Sequence, residues 1–171
     1  GVKTIIEQTT IIEGDLSSPM CGLPDKQLFE LTDKIDIVIN TAGLVEFTPP
    51  LNESLVTNVY GAQNLIELVK LLNARLVHIS TAYVAGKKSG RISENSNVFG
   101  YYPDRIDDND MQFDVDEEIR WCEEFVNSTS DKEVLRQGGI QRADKWGWTN
   151  TYTYTKSIGE QLIARTPDLK F

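Results

Sequence analysis

Two short apolar runs that end in small or hydroxylated residues constrain this chain most: Ile35-Asp36-Ile37-Val38-Ile39-Asn40-Thr41-Ala42-Gly43 and Arg75-Leu76-Val77-His78-Ile79-Ser80-Thr81-Ala82-Tyr83-Val84. A short apolar run closed by small residues reads as a buried parallel strand opening into a tight loop. Between the two, Leu55, Val56, Val59, Leu65, Ile66, Val69 and Leu72 recur at helical spacing, with Asn58 and Gly61 interrupting the stripe. Strand, helix, strand is the order of a doubly wound α/β sheet, in which ligands bind beyond the strand ends.

A further helix is expected from Asn150-Thr151-Tyr152-Thr153-Tyr154-Thr155-Lys156-Ser157. Tyr152 and Lys156 stand four residues apart, so one helical turn sets both on one face. An ammonium beside a phenol favours the phenolate, and a phenol so tuned can exchange a proton near neutral pH. Tyr154 is off that face and reads as packing. His78 lies within an apolar strand and reads as a satisfied core residue.

The composition excludes several classes. With a net charge of −9 the surface would repel nucleic acid. No apolar stretch approaches the roughly 20 residues that span a bilayer. Cys21 and Cys122 are too few and too far apart for a disulfide framework, which favours a reducing compartment, the cytoplasm. The acidic residues crowd one segment: Asp104, Asp107, Asp108, Asp110, Asp114, Asp116, Glu117, Glu118, Glu123 and Glu124, against Arg105 and Arg120. A calcium loop counted from Asp108 fails, because its sixth and twelfth positions hold Phe113 and Ile119 instead of Gly and Glu. Val115, Ile119, Cys122 and Val126 recur at helical spacing, so the carboxylates are read as the wet face of an amphipathic helix. That helix belongs to a long acidic excursion at about 87–148. Its aromatic residues either anchor the loop or line an acyl channel, and the first reading is preferred for most of them.

Taken in order, Glu13-Gly14-Asp15-Leu16, Asn40 to Phe47, Asn58-Val59-Tyr60-Gly61, His78 to Val84 and Gly147 to Ser157 with Gly159-Glu160-Gln161-Leu162 resemble the extended short-chain dehydrogenase/reductases. Within them the resemblance is to the fatty acyl-CoA reductase and thioester reductase branch, historically the male-sterility type. It implies a partial Rossmann-like doubly wound parallel sheet that lacks the first βαβ unit and the C-terminal substrate-binding part, since no Gly-rich pyrophosphate turn occurs in the chain. Thr9 to Asp15 then corresponds to the third strand, and Asp168 to Phe171 to the start of the next strand after the Tyr/Lys helix.

The resemblance also implies roles. Tyr152 is the acid, with Lys156 lowering its pKa and contacting the nicotinamide ribose. Thr81 is a second donor, and Asn58 gives structural support or a proton relay. Asp15 and Leu16 would meet the adenine end of the cofactor, and the Thr41-Ala42-Gly43 loop its adenosine half. The implied cofactor is NADPH, with NADH as the alternative, and the implied substrate is an acyl-CoA or carrier-protein thioester. The runner-up enzyme is a nucleotide-sugar epimerase or dehydratase. Against it, Ala82 and Tyr83 follow Thr81 where dehydratases need an acidic pair. A fragment that catalyses nothing alone is the non-enzymatic reading. An open apolar edge at Ile37, Val38 and Ile39 would favour self-association through that edge or a rearrangement of the third strand to cover it.

Overall fold

The structure, a computed structural model, describes residues 7–93, 95–107, 110 and 112–170. Helix α1 (Asp25–Leu31) leads into strand β1 (Ile37–Asn40). A long crossover follows, made of α2 (Leu51–Ser54), a π-helical stretch (Leu55–Tyr60) and α3 (Gly61–Leu72). Strand β2 (Arg75–His78) returns parallel to β1, with Ile37 opposite Arg75 and Asn40 opposite His78. The Ile79 N–H extends this ladder by donating to the Asn40 carbonyl at 2.9 Å. On the far side of β2, Lys170 forms a parallel bridge with Arg75 and its carbonyl accepts from the Leu76 N–H at 2.7 Å.

The crossover packs because its apolar stripe falls on one side. Leu65, Val69 and Ala62 meet Leu76, Ile163 and Leu169, while Leu68 and Leu72 close over Leu28 and Ala74. Asn73 takes the left-handed conformation (φ 55°) that ends α3, and its N–H donates to the Lys70 and Val69 carbonyls.

Three helices follow β2: α4 (Val115–Ser128), α5 (Lys132–Lys145) and α6 (Thr151–Arg165). Each N-terminus is capped by a side chain that accepts from early N–H groups, Asp114 for α4, Asp131 for α5 and Asn150 for α6. Helix α6 is buried along most of its length and lies against the π stretch. A β carbon on Gly159 would stand only 2.3 Å from the Asn58 carbonyl oxygen, so this close approach requires glycine. In the excursion Tyr102, Phe113, Trp146 and Trp148 form an aromatic core, with Phe113 and Trp146 edge to face at 5.1 Å. The Trp148 indole donates to the Val84 carbonyl at 2.7 Å, tying this core to the loop after β2. These four rings anchor the excursion, as preferred from the sequence.

Three expectations change. Residues 9–13 are irregular and not a third strand, and Ile11 is 94% exposed. A strand exists only against a ladder partner, and the sheet formed by the described residues has two strands, β1 and β2. The strands are covered on one face only: Ile37, Ile39, Val77 and Ile79 alternate onto the other face and are exposed. Glu118, assigned from sequence to the wet face of α4, is 3% exposed. Arg142 reaches it with Nε at 2.8 Å and Nη2 at 2.5 Å, and the Tyr154 hydroxyl donates to its Oε2 at 2.7 Å. Fork-to-fork pairing makes a buried carboxylate tolerable where simple helical periodicity would put it in water.

Removing one partner leaves the other charge buried. Glu118→Ala is expected to destabilise the fold by roughly 3–5 kcal/mol, seen as a lowered urea midpoint. A midpoint unchanged from the wild type would show that Arg142 and Tyr154 find other acceptors.

Candidate active site

The Tyr/Lys pair sits on the first turns of α6 as its spacing predicts. Tyr152 is half-buried, its N–H donates to the Phe47 carbonyl at 3.2 Å, and the Phe47 ring lies 6.1 Å from its own. Lys156, one turn on, is 5% exposed, and its Nζ donates to the Ile79 carbonyl at 3.0 Å. Burial pulls the Lys156 ammonium below its ordinary range, while the Glu160 carboxylate, a turn further along α6, opposes that shift. Burial likewise raises the Glu160 carboxyl, with Lys156 opposing.

The loop after β1 comes to the same place. A β carbon on Gly43 would lie 3.5 Å from Lys156 Nζ and 3.4 Å from Asn58 Oδ1. Asn58 Oδ1 accepts from the Leu44 N–H at 3.2 Å, and its Nδ2 donates to Thr155 Oγ1 at 3.1 Å. Its contacts are those of a brace between the loop and α6. Ala42 is held by its N–H donating to Asn40 Oδ1 at 3.0 Å, and Thr41 precedes it in the same loop. Asn40 Nδ2 in turn donates to His78 Nδ1 at 2.9 Å. Burial first, and the Lys156 charge second, lower His78 to about 4, so the ring is neutral and accepts through Nδ1.

Thr81 opens a short 3₁₀ turn (Ala82–Ala85), and its Oγ1 accepts from the Tyr83 N–H at 3.3 Å. A hydroxyl that accepts keeps its hydrogen to donate. The preceding Ser80 Oγ is buried and has no hydrogen-bond partner among the described residues. Ala82 and Ser157, the residues that follow Thr81 and Lys156 in the chain, line a cavity of about 520 Å³ whose walls also include Val84, Ile92, Tyr101, Glu160 and Gln161. Glu160 and Gln161 were not singled out for chemistry from sequence. The spacing of Glu160, four residues beyond Lys156, is the signal that marks its face.

Asp15 and Leu16 stand apart from this group. The Asp15 carboxylate is exposed and accepts from the Ser17 N–H at 2.9 Å, Ser17 Oγ at 2.7 Å and Ser18 Oγ at 3.1 Å. Those hydroxyl and amide donors hold it below the usual carboxylate range. Leu16 packs over Gly61 at the start of α3, where Asn64 Nδ2 donates to its carbonyl at 2.9 Å.

The residues present fit a nicotinamide nucleotide. Gly43 leaves bare backbone beside a buried ammonium that has donors to spare, and an unpartnered Ser80 hydroxyl lies close along the chain. Parallel strands joined by a helical crossover, with the Tyr/Lys helix packed against it, form a Rossmann-like α/β arrangement. The NAD-binding family described as Male sterility protein matches residues 2–170, and the chain belongs to that family. It is similar to the "Alcohol-forming fatty acyl-CoA reductase" of Simmondsia chinensis, 33% identical over 94% of this chain and 34% of that protein. It is also similar to "Fatty acyl-CoA reductase 8" of Arabidopsis thaliana, 32% identical over 95% of this chain and 35% of that one. The chain therefore spans about a third of the length of these relatives. Among solved structures, the terminal R domain of the myxalamid biosynthetic pathway superposes with a TM-score of 0.60 at 17% identity, over 94% of this chain and 31% of that domain. That likeness carries the fold. The family indicates a nicotinamide cofactor, and among the described residues no helix is long and apolar enough to cross a membrane.

His78 is the one histidine of the chain, so its titration can be read directly. Proton NMR should place its midpoint near pH 4, not near its ordinary 6.5. Because the folded value lies below the unfolded one, the stability it contributes is complete above about pH 6.5 and is lost as pH falls toward 4. A midpoint near 6.5 would mean that Asn40 and Lys156 do not enclose the ring as described.

Proposed function

We propose that the chain carries the central part of an NADPH-dependent reductase that converts a fatty acyl thioester, bound to coenzyme A or a carrier protein, to an aldehyde or alcohol. The observation that carries this reading is the convergence of Lys156, Tyr152 and the loop from Gly43 to Phe47 at one end of the sheet. The relatives named as fatty acyl-CoA reductases support the substrate class.

A bound nicotinamide would supply hydride to the thioester carbonyl carbon. Negative charge then grows on the carbonyl oxygen, and groups of this chain must meet it. Tyr152 gives its hydroxyl proton to that oxygen, while the Lys156 ammonium stabilises the phenolate left behind and offers its remaining donors to the cofactor ribose. Thr81, whose Oγ1 already accepts from Tyr83, directs its free hydrogen to the same oxygen. Asn58 holds the Gly43–Leu44 loop against α6, and Asp15, Leu16, Thr41 and Ala42 serve the adenosine half of the cofactor. Loss of the thiol from the protonated adduct yields the aldehyde. NADPH over NADH, and the cytoplasm as the compartment, belong to the same reading. A nucleotide-sugar enzyme is disfavoured by Ala82, which places a methyl group where such dehydratases need a carboxyl group.

In the full-length enzyme, Tyr152→Phe should lower turnover with acyl-CoA about 10²-fold or more with cofactor affinity nearly unchanged, whereas Lys156→Ala should damage both. Turnover by the Phe variant at the wild-type rate would remove Tyr152 from the mechanism. We further expect this chain to self-associate through β1, where Ile37 is 53% and Ile39 63% exposed. Light scattering should then report a mass above 19.3 kDa, and a monomer at high concentration would contradict it.

A further inference from the structure

The cavity beside α6 does not end at its apolar walls. Ile92, Ser93, Ser96, Asn97 and Tyr101 also line a second hollow of about 550 Å³, so the two share a wall. That wall is fixed. The Tyr101 hydroxyl donates to the Ala85 carbonyl at 3.0 Å, and Gln161, 1% exposed on α6, accepts from the Gly100 N–H and donates to the Tyr101 carbonyl, each at 2.9 Å.

The second hollow has a different chemistry. Its charged lining residues are Lys88, Arg91 and Arg105, and no acidic side chain lines it among the described residues. In a chain of net charge −9, whose acids crowd the segment just beyond, this concentration of cations is a local reversal of sign. Lys87 turns away to Asp144 at 2.5 Å, whereas among the described residues neither Lys88 nor Arg91 has an ion-pair partner. The Lys88 ammonium rests 5.8 Å from the centroid of the Tyr101 ring in the shared wall, and Arg105 is oriented by its Nε donating to the Asp107 carbonyl at 2.7 Å. A mainly apolar cavity on α6, with Glu160 in its wall, that adjoins a group of cations suits a ligand with a long neutral arm and a phosphate at its far end.

We infer that Lys88 and Arg91, with Arg105 beside them, hold the phosphate of a phosphopantetheine-borne thioester whose arm passes the shared Tyr101 wall into the cavity lined by Ser157 and Gln161 of α6. This rests on the reductase reading above and adds to it the place where the thioester carrier docks. Coenzyme A and a carrier protein present the same phosphopantetheine phosphate, and coenzyme A adds the phosphates of its nucleotide.

The test uses the full-length protein and a Lys88→Ala/Arg91→Ala double variant. The KM for a fatty acyl-CoA should rise about tenfold or more, the size of one lost charge-assisted hydrogen bond, with kcat nearly unchanged. The KM for the matching acyl-pantetheine thioester, which has no phosphate, should stay where it was. Calorimetric titration with coenzyme A, 4′-phosphopantetheine and pantetheine needs no turnover, so it judges this site even if the reductase reading fails. Phosphopantetheine should bind at least tenfold more tightly than pantetheine, and the double variant should lose that difference. Equal affinity for coenzyme A and phosphopantetheine would assign the cations to the shared phosphate, and tighter binding of coenzyme A would add its nucleotide phosphates; both support the site. Pantetheine binding as tightly as phosphopantetheine, an unchanged KM for acyl-CoA, or equal rises for both thioesters would overturn it.

Discussion

The side-chain amide of Asn58 is the joint on which the candidate site depends. Its oxygen holds the Leu44 N–H of the loop after β1, and its nitrogen donates to Thr155 Oγ1 on α6. Ser54 and Thr155 close the knot with a hydroxyl hydrogen bond of 2.7 Å. One residue thus ties the first strand, the crossover and the Tyr/Lys helix together, and it lies where the crossover widens into a π turn. Widened turns of this kind are frequent at functional sites. The Asn58 carbonyl approaches α6 so closely that only glycine fits at position 159. Buried polar knots of this kind rigidify when every member is satisfied and are costly when one is removed. The geometry around Lys156 inherits that rigidity.

The excursion after β2 supplies a second support from the opposite side of α6. Glu118 on α4 takes the Arg142 fork from α5 and the Tyr154 hydroxyl from α6, so three helices meet at one carboxylate. The Arg142 guanidinium also lies 4.2 Å from the centroid of the Trp121 ring, which helps it leave water. Tyr154 is held far above the ordinary phenol range by burial, and the neighbouring Cys122 thiol is pushed up to about 12 for the same reason. Both groups are thereby kept protonated in the core, whereas Tyr152, two residues away, is only half-buried. The same stretch of helix therefore offers one phenol to the core and one to the site.

Much of this was legible in the sequence because its signals are periodic or local. The alternation of apolar runs with a helical stripe marks β1, α3 and β2, the Tyr-x-x-x-Lys spacing marks the face of α6, and the interruption at Asn58 and Gly61 falls at the π turn and its end. What was not legible depends on partners distant in sequence. Residues 9–13 have the composition of a strand, yet a strand is a property of a pair. Helical periodicity gave α4 its inner face through Val115, Ile119 and Cys122 but could not reveal that Arg142, 24 residues further on, would draw Glu118 inward. The Asp15 carboxylate illustrates the converse, since its hydrogen bonds to Ser17 and Ser18 are local, those of an Asp that shapes its own turn.

The central claim is that the Tyr152–Lys156 end of the sheet directs hydride to a thioester carbonyl. It is tested most directly by incubating the full-length protein with NADPH deuterated at the transferable C4 position and a fatty acyl-CoA, then measuring the isotope at C1 of the product by mass spectrometry. The account predicts deuterium at C1 of the aldehyde or alcohol, with one equivalent of free coenzyme A released per acyl group. Release of coenzyme A with only unlabelled fatty acid, or no consumption of NADPH, would contradict it.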